Sequence, residues 1–268
     1  MEFTQVIGFS LAVLVGITLG LIGSGGSILS VPILVYVMAI EPVLATAYSL
    51  FIVGATALVG GLQRAKQQLV DFKKVFLFGI PTLLAVFLTR KFIVPGLPEV
   101  LFSTTFFPIQ KSVFIMLVFA AVMIVAAFKM ILSKVATTEA PATNQELNYF
   151  LIVTQGLFIG LLAGFVGAGG GFLIIPALLF LGKTPMKVAV GTSLFIIALQ
   201  SLLGFLGDIR PDQVIDWKVV LLFTFFSIIG IFIGNRLSKT INGSKLKAGF
   251  GWFVLVMGVY IMIKELVL

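Results

Sequence analysis

Gly23-Ser24-Gly25-Gly26-Ser27 decides how this chain is read, because the sequence writes it twice. Gly167-Ala168-Gly169-Gly170-Gly171 is nearly the same stretch again. Each copy closes one hydrophobic segment and opens a short one carrying a proline at the matching place, Pro32 or Pro176. Inside a membrane such a break is costly, since the freed backbone groups have no water to bond. Two breaks at corresponding positions in two halves point to the binding site of a transporter.

Composition sets the medium. Of 268 residues 60% are hydrophobic and 10% charged, against about 25% charged in an average soluble domain. The chain therefore reads as an all-α polytopic membrane protein. The net charge of +8 would suggest nucleic acid in a soluble protein. Here it reads as Lys and Arg gathered in cytoplasmic loops, and no basic surface interleaved with aromatics offers nucleic acid a seat. Cysteine and histidine are absent, which excludes disulfides, thiol chemistry and histidine metal sites and removes the commonest acid–base residue. No enzyme, metal site or cofactor is expected. Met1-Glu2-Phe3-Thr4-Gln5 lacks the basic start of a signal peptide, so the apolar run that follows reads as a retained first transmembrane helix.

Apolar segments fall near 5–22, 27–40, 43–62, 73–93, 111–133, 147–166, 171–182, 185–206, 217–235 and 246–266. Eight are long enough to span a bilayer as helices. The segments 27–40 and 171–182 reach only roughly 20 Å against a core of about 30 Å, and both directly follow the glycine loops. If their far ends sit at the surface, their N-termini lie well inside the membrane.

A shift of 144 residues pairs Gly16 with Gly160, Gly20 with Gly164, Gly23 with Gly167, Gly25 with Gly169, Gly26 with Gly170 and Pro32 with Pro176. It also lays Ser49-Leu50-Phe51 on Ser193-Leu194-Phe195, and further on Val70-Asp71-Phe72-Lys73 resembles Ile215-Asp216-Trp217-Lys218. The chain thus divides into a first transmembrane repeat (1–133), a linker (134–146) and a second repeat (147–268), each with five segments. Five crossings per half would insert the second half upside down. Loop charges agree: 63–74 carries Arg64, Lys66, Lys73 and Lys74 against Asp71, whereas 207–218 carries Arg210 and Lys218 against Asp208, Asp212 and Asp216. The first would be cytoplasmic and the second external, with Arg90, Lys91 and Lys111 as dissenters. Re-entrant short segments would instead make the repeats parallel. Val94 to Gln110 has no counterpart; with Pro95, Pro98 and Pro108 it reads as an interfacial flap or a packed loop.

The glycine loops read as an anion site. A helix N-terminus offers unpaired N–H groups and the positive end of the macrodipole. Two half-helices entering from opposite sides would aim Gly23, Ser24, Gly25, Gly26 and Ser27 and Gly167, Gly169, Gly170 and Gly171 at one point. Gly16, Gly20, Gly160 and Gly164 read as helix packing instead. Tyr48 and Ser49, matched by Thr192 and Ser193, are further candidate ligands, as are Gln155 and Gln200; all can equally bond neighbouring backbone or helices. Asp71 and Asp216 read as helix N-caps. No Asp or Glu lies in the middle of an apolar segment, so proton coupling through a carboxylate is unsupported.

The Gly-x-Gly-Gly-Gly/Ser loop, the proline after it, the Tyr/Thr-Ser-Leu-Phe segment, the Asp-Phe/Trp-Lys before a helix and Gly230–Arg236 (Gly-x3-Gly-Asn-Arg) resemble the sulfite exporter TauE/SafE family, also called the 4-toluene sulfonate uptake permease family. The resemblance covers both halves. It implies transport of sulfur-containing anions such as sulfite, sulfoacetate or other sulfonates across the bacterial inner membrane. The expected partners are that small anion and membrane lipid, with a homodimer an open assembly. Alternating access by rocking of the halves is the expected mechanism; an anion channel filtered by the glycine loops is the alternative.

Overall fold

The computed structural model describes residues 3–23, 26–98, 100–103, 108–132, 149–166, 174, 175, 178, 184–208, 215–238, 240 and 243–267. Helix α1 runs Phe3–Ile22 and ends as a glycine cap. Gly23 has φ +77° and its N–H donates to the Leu19 carbonyl at 2.7 Å, the left-handed stop that glycine takes without steric cost. The chain restarts at α2, Gly26–Pro32, and runs on as a π turn, Ile33–Val37. Pro32 has no N–H to give the preceding turn, a common cause of local rewinding. From Gly26 to Val37 the rod is about 18 Å long at 1.5 Å per residue, the half-length the sequence predicts.

Helix α3, Pro42–Lys66, starts with Pro42 in its first turn and Glu41 accepting from the Leu44 N–H at 2.9 Å. Helix α4, Phe72–Leu88, is capped by Asp71, which accepts from Lys74 N–H at 3.2 Å. It continues through a π turn, Thr89–Ile93, into the short α5, Val94–Gly96. Strands β1, Val100–Ser103, and β2, Pro108–Gln110, then pair antiparallel. This hairpin, in the stretch read as a flap or packed loop, is a departure from the expected all-α chain. Helices α6 (Lys111–Leu132), α7 (Tyr149–Val166), α8 (Met186–Asp208), α9 (Trp217–Leu237) and α10 (Gly243–Val267) follow. Asp216 caps α9 by accepting from Lys218 N–H at 3.0 Å and Val219 N–H at 3.2 Å. Both aspartate caps therefore stand as read.

Among the described residues six helices are long and apolar enough to cross a membrane: Gln5–Ile22, Pro42–Lys66, Phe72–Gly96, Lys111–Phe128, Lys187–Asp208 and Trp217–Leu237. The sequence led to eight; α7 and α10 are helices at the other two places. Apolar side chains fill the core and also cover the outside. Phe76, Ile80, Leu84 and Leu88 form an exposed stripe along α4, and Leu221, Phe225, Ile229 and Ile233 another along α9. Polar side chains turn inward: Ser30, Ser49, Thr56, Arg64, Arg90, Thr192, Ser193, Gln200 and Asp208 are buried. That distribution suits lipid as solvent.

Packing follows a pattern of exchanged partners. Helix α1 lies on α9, while α7, its counterpart under the 144-residue shift, lies on α4, the counterpart of α9. Likewise α3 meets α9 and α8 meets α4, and the pairs α3 with α8 and α6 with α10 map onto themselves. The α3–α8 seam is antiparallel: Phe51 stacks edge-on with Phe205 at 5.2 Å, and Gly61 sits against Phe195. Glycines set the closest approaches, as read for four of them. A Cβ at Gly16 would strike the Ser227 carbonyl and one at Gly20 the Ile231 carbonyl on α9, while one at Gly160 would strike the Thr82 carbonyl on α4 and one at Gly164 the Thr89 side chain in the π turn that continues it.

Candidate functional site

The described part of the site gathers where α1 stops and α2 begins. Ser193, from α8, lies against the first glycine break: its Oγ is 3.1 Å from the Gly23 carbonyl and 2.9 Å from that of Val190, either of which can accept its proton. A Cβ on Gly23 would come within 2.9 Å of both Ser193 Oγ and the Val190 carbonyl, so glycine is required there by conformation and by space. Gly26 is similarly confined by the Val15 carbonyl and Leu19. From α3, Ser49 Oγ meets Ser30 Oγ of α2 at 2.5 Å in a buried pair. Equivalent serines of the two halves thus both border the same short stretch, one at Gly23 and the other at Ser30.

Tyr48 and Thr192, the neighbouring hydroxyls, are matched in a different task. Tyr48 Oη accepts from the Asp216 N–H at 2.6 Å, and Thr192 Oγ1 accepts from the Asp71 N–H at 2.9 Å. Each ties the start of a helix in the other half to α3 or α8. Gln200 is buried two turns beyond Ser193 on the same face of α8, and Gln155 is half-buried on α7. Ser24, Gly25, Gly167, Gly169, Gly170, Gly171 and the side chain of Ser27 lie outside the described residues.

Two buried arginines were not anticipated. Arg64 donates from Nε to Asn235 Oδ1 at 3.2 Å, and from Nη2 to the Gly20 carbonyl at 3.1 Å and Ser238 Oγ at 2.5 Å; Asn235 Nδ2 in turn donates to Gln63 Oε1 at 2.7 Å. At the far end of α4, Arg90 pairs with Asp208 at 3.4 Å. Arg64, Arg90 and Asp208 were counted as loop charges, and Arg90 disagreed with the proposed orientation. Burial takes all three out of the loop count, those that agreed as well as the one that did not, because a buried interior charge carries no weight as a loop signal, and the exposed Lys91 still dissents. The sequence offers only that Arg64 falls on Asp208 under the 144-residue shift, a charge at the matching place in each half. Among the described residues no three Asp, Glu, His or Cys side chains cluster as a metal site.

The family model for sulfite exporter TauE/SafE matches residues 8–261, nearly the whole chain. The chain belongs to the sulfite exporter TauE/SafE family. It is 30% identical over 256 residues to a probable membrane transporter protein of Xylella fastidiosa (strain 9a5c), covering 93% of this chain and 91% of that one. A probable membrane transporter protein of Bacillus subtilis (strain 168), YunE, is 27% identical, covering 87% and 88%. One of Haemophilus influenzae is 26% identical, covering 94% and 95%. No solved structure matches. This TauE/SafE protein is thus a multi-pass membrane transporter, and the polar contacts between its halves lie inside an apolar exterior.

Proposed function

We propose that this TauE/SafE protein is a secondary transporter that exports a small sulfur oxyanion, such as sulfite, sulfoacetate or another organosulfonate, across the bacterial inner membrane by alternating access. The observation that carries the reading is the junction at the first glycine break, where Ser193 of one half meets the Gly23 carbonyl and Ser49 meets Ser30, all buried. A helix start leaves its first backbone N–H groups without intrahelical partners, and with glycine allowing close approach that is chemistry for an oxyanion. We place the substrate between this break and its copy at Gly167–Gly171, with Ser49, Ser193 and Gln200 nearby. Tyr48 and Thr192 act here as positioning groups.

The exchanged helix partners support two related halves, and the antiparallel seam of the equivalent helices α3 and α8 supports their inversion, since a twofold axis in the membrane plane reverses helix direction while one along the membrane normal does not. Export needs no coupling ion: an inside-negative potential drives a negative charge outward, and moving one such charge releases about 2.3 kcal/mol per 100 mV. In proteoliposomes, sulfite or sulfoacetate flux should saturate and be stimulated by the same anion on the far side. Absence of flux for every sulfur anion overturns the substrate class. Currents of many ions per opening would replace the carrier by a channel.

A further inference from the structure

We propose that Arg90 is an anion-binding residue, occupied by Asp208 until a small oxyanion displaces it; this rests on the transport reading above. The Arg90 side chain is fully buried, at 0% exposure. Among the described residues its charged partner is Asp208, reached from Nη1 at 3.4 Å, and none of its three nitrogens makes a hydrogen bond. A buried charge ordinarily has both a counter-ion and filled hydrogen bonds. Arg90 has the first only loosely, and the second not at all.

Arg64 is the internal contrast. It is buried as well, but neutral acceptors take its Nε and Nη2: Asn235, Ser238 and the Gly20 carbonyl. That arrangement anchors helices. At Arg90 the planar fork of N–H donors remains open, and its geometry matches two oxygens of a sulfonate or sulfite bidentately. The place is suited to exchange. Arg90 belongs to the first half and Asp208 to the second, and a Cβ on Gly207 would stand 3.2 Å from Arg90 Cβ and 3.4 Å from the Phe87 carbonyl, so the two halves touch almost backbone to backbone. A free oxyanion taking the carboxylate's place leaves the guanidinium charge compensated while releasing the link between halves at this end. Asp208 sets the threshold, because a ligand must outcompete it.

The test is a titration of the purified full-length protein in detergent with sodium sulfite and sulfoacetate, read by tryptophan fluorescence and by thermal shift. Arg90→Gln should weaken binding by at least about tenfold, the loss expected for hydrogen bonds to a charged group. Arg90→Lys, which keeps the charge and loses the fork, should weaken it too. Asp208→Asn should bind at least as tightly as the unsubstituted protein, and Arg90→Gln with Asp208→Asn should stay weak. A pair that only fastened helices would give the opposite pattern: both single variants less stable and weaker in binding, the double variant recovered. That pattern, or unchanged affinity in a folded Arg90→Gln or Arg90→Lys protein, overturns the proposal and leaves the transport reading standing. If the unsubstituted protein binds neither anion, both fall.

Discussion

At the scale of single residues, the two halves use matched hydroxyls to hold each other's helix starts. Tyr48 and Thr192 accept the backbone N–H groups of Asp216 and Asp71. Tyr48→Phe or Thr192→Val leaves that N–H without its partner, which costs about 1–2 kcal/mol. We expect a lowered thermal midpoint for each, with anion affinity unchanged. Lost affinity at an unchanged midpoint would instead make these hydroxyls substrate ligands. Gly23 is stricter. Its φ of +77° already costs an alanine about 1–2 kcal/mol, and the Ser193 hydroxyl and Val190 carbonyl leave no room for the methyl. Gly23→Ala should therefore lower both stability and transport, and full activity in proteoliposomes would contradict the placement of Ser193 against this turn.

Between elements, glycine decides how closely helices approach. Gly230 lies against the Val13 carbonyl of α1, whereas a Cβ on Gly249 of α10 would meet nothing within 4 Å. The same substitution should then have opposite signs. Gly230→Ala forces α1 from α9, with an overpacking cost of about 1–3 kcal/mol. Gly249→Ala meets no obstacle and gains up to about 1 kcal/mol of helix propensity. Comparing the two thermal midpoints checks the α1–α9 seam. Much at this scale was legible in advance. The aspartate caps at 71 and 216 follow from their own chain neighbours, and the short rod after the first glycine loop from its length. The hairpin Val100–Ser103 with Pro108–Gln110 was not legible: the prolines ruled out a spanning helix but did not specify strand pairing.

For the molecule as a whole, the proposed inversion of the halves makes a prediction about sides. The chain has no cysteine, so single introduced thiols report cleanly. Gln68→Cys, in the loop before α4, should react with an impermeant maleimide only from the cytoplasmic side, and Lys218→Cys, at the start of α9, only from outside. Labelling of both from one side would replace inverted halves by parallel ones. The buried arginines also belong to this scale. Arg64 and Asn235 are 171 residues apart, and their bond fastens α3 of one half to α9 of the other.

The sequence alone determined the medium, the positions of the long helices, the repeated glycine stretch and the family. All of these rest on local chemistry or on comparison along the chain: apolar runs of bilayer length, glycines that stop a helix, side chains that cap the next few residues. Only the tertiary structure decided which polar groups face each other. An arginine at a helix end reads the same whether water or another helix surrounds it. Folding gave Arg64 a set of neutral acceptors and, among the described residues, gave Arg90 the carboxylate of Asp208. That difference depends on which distant helix lies alongside, and no local pattern of residues encodes it.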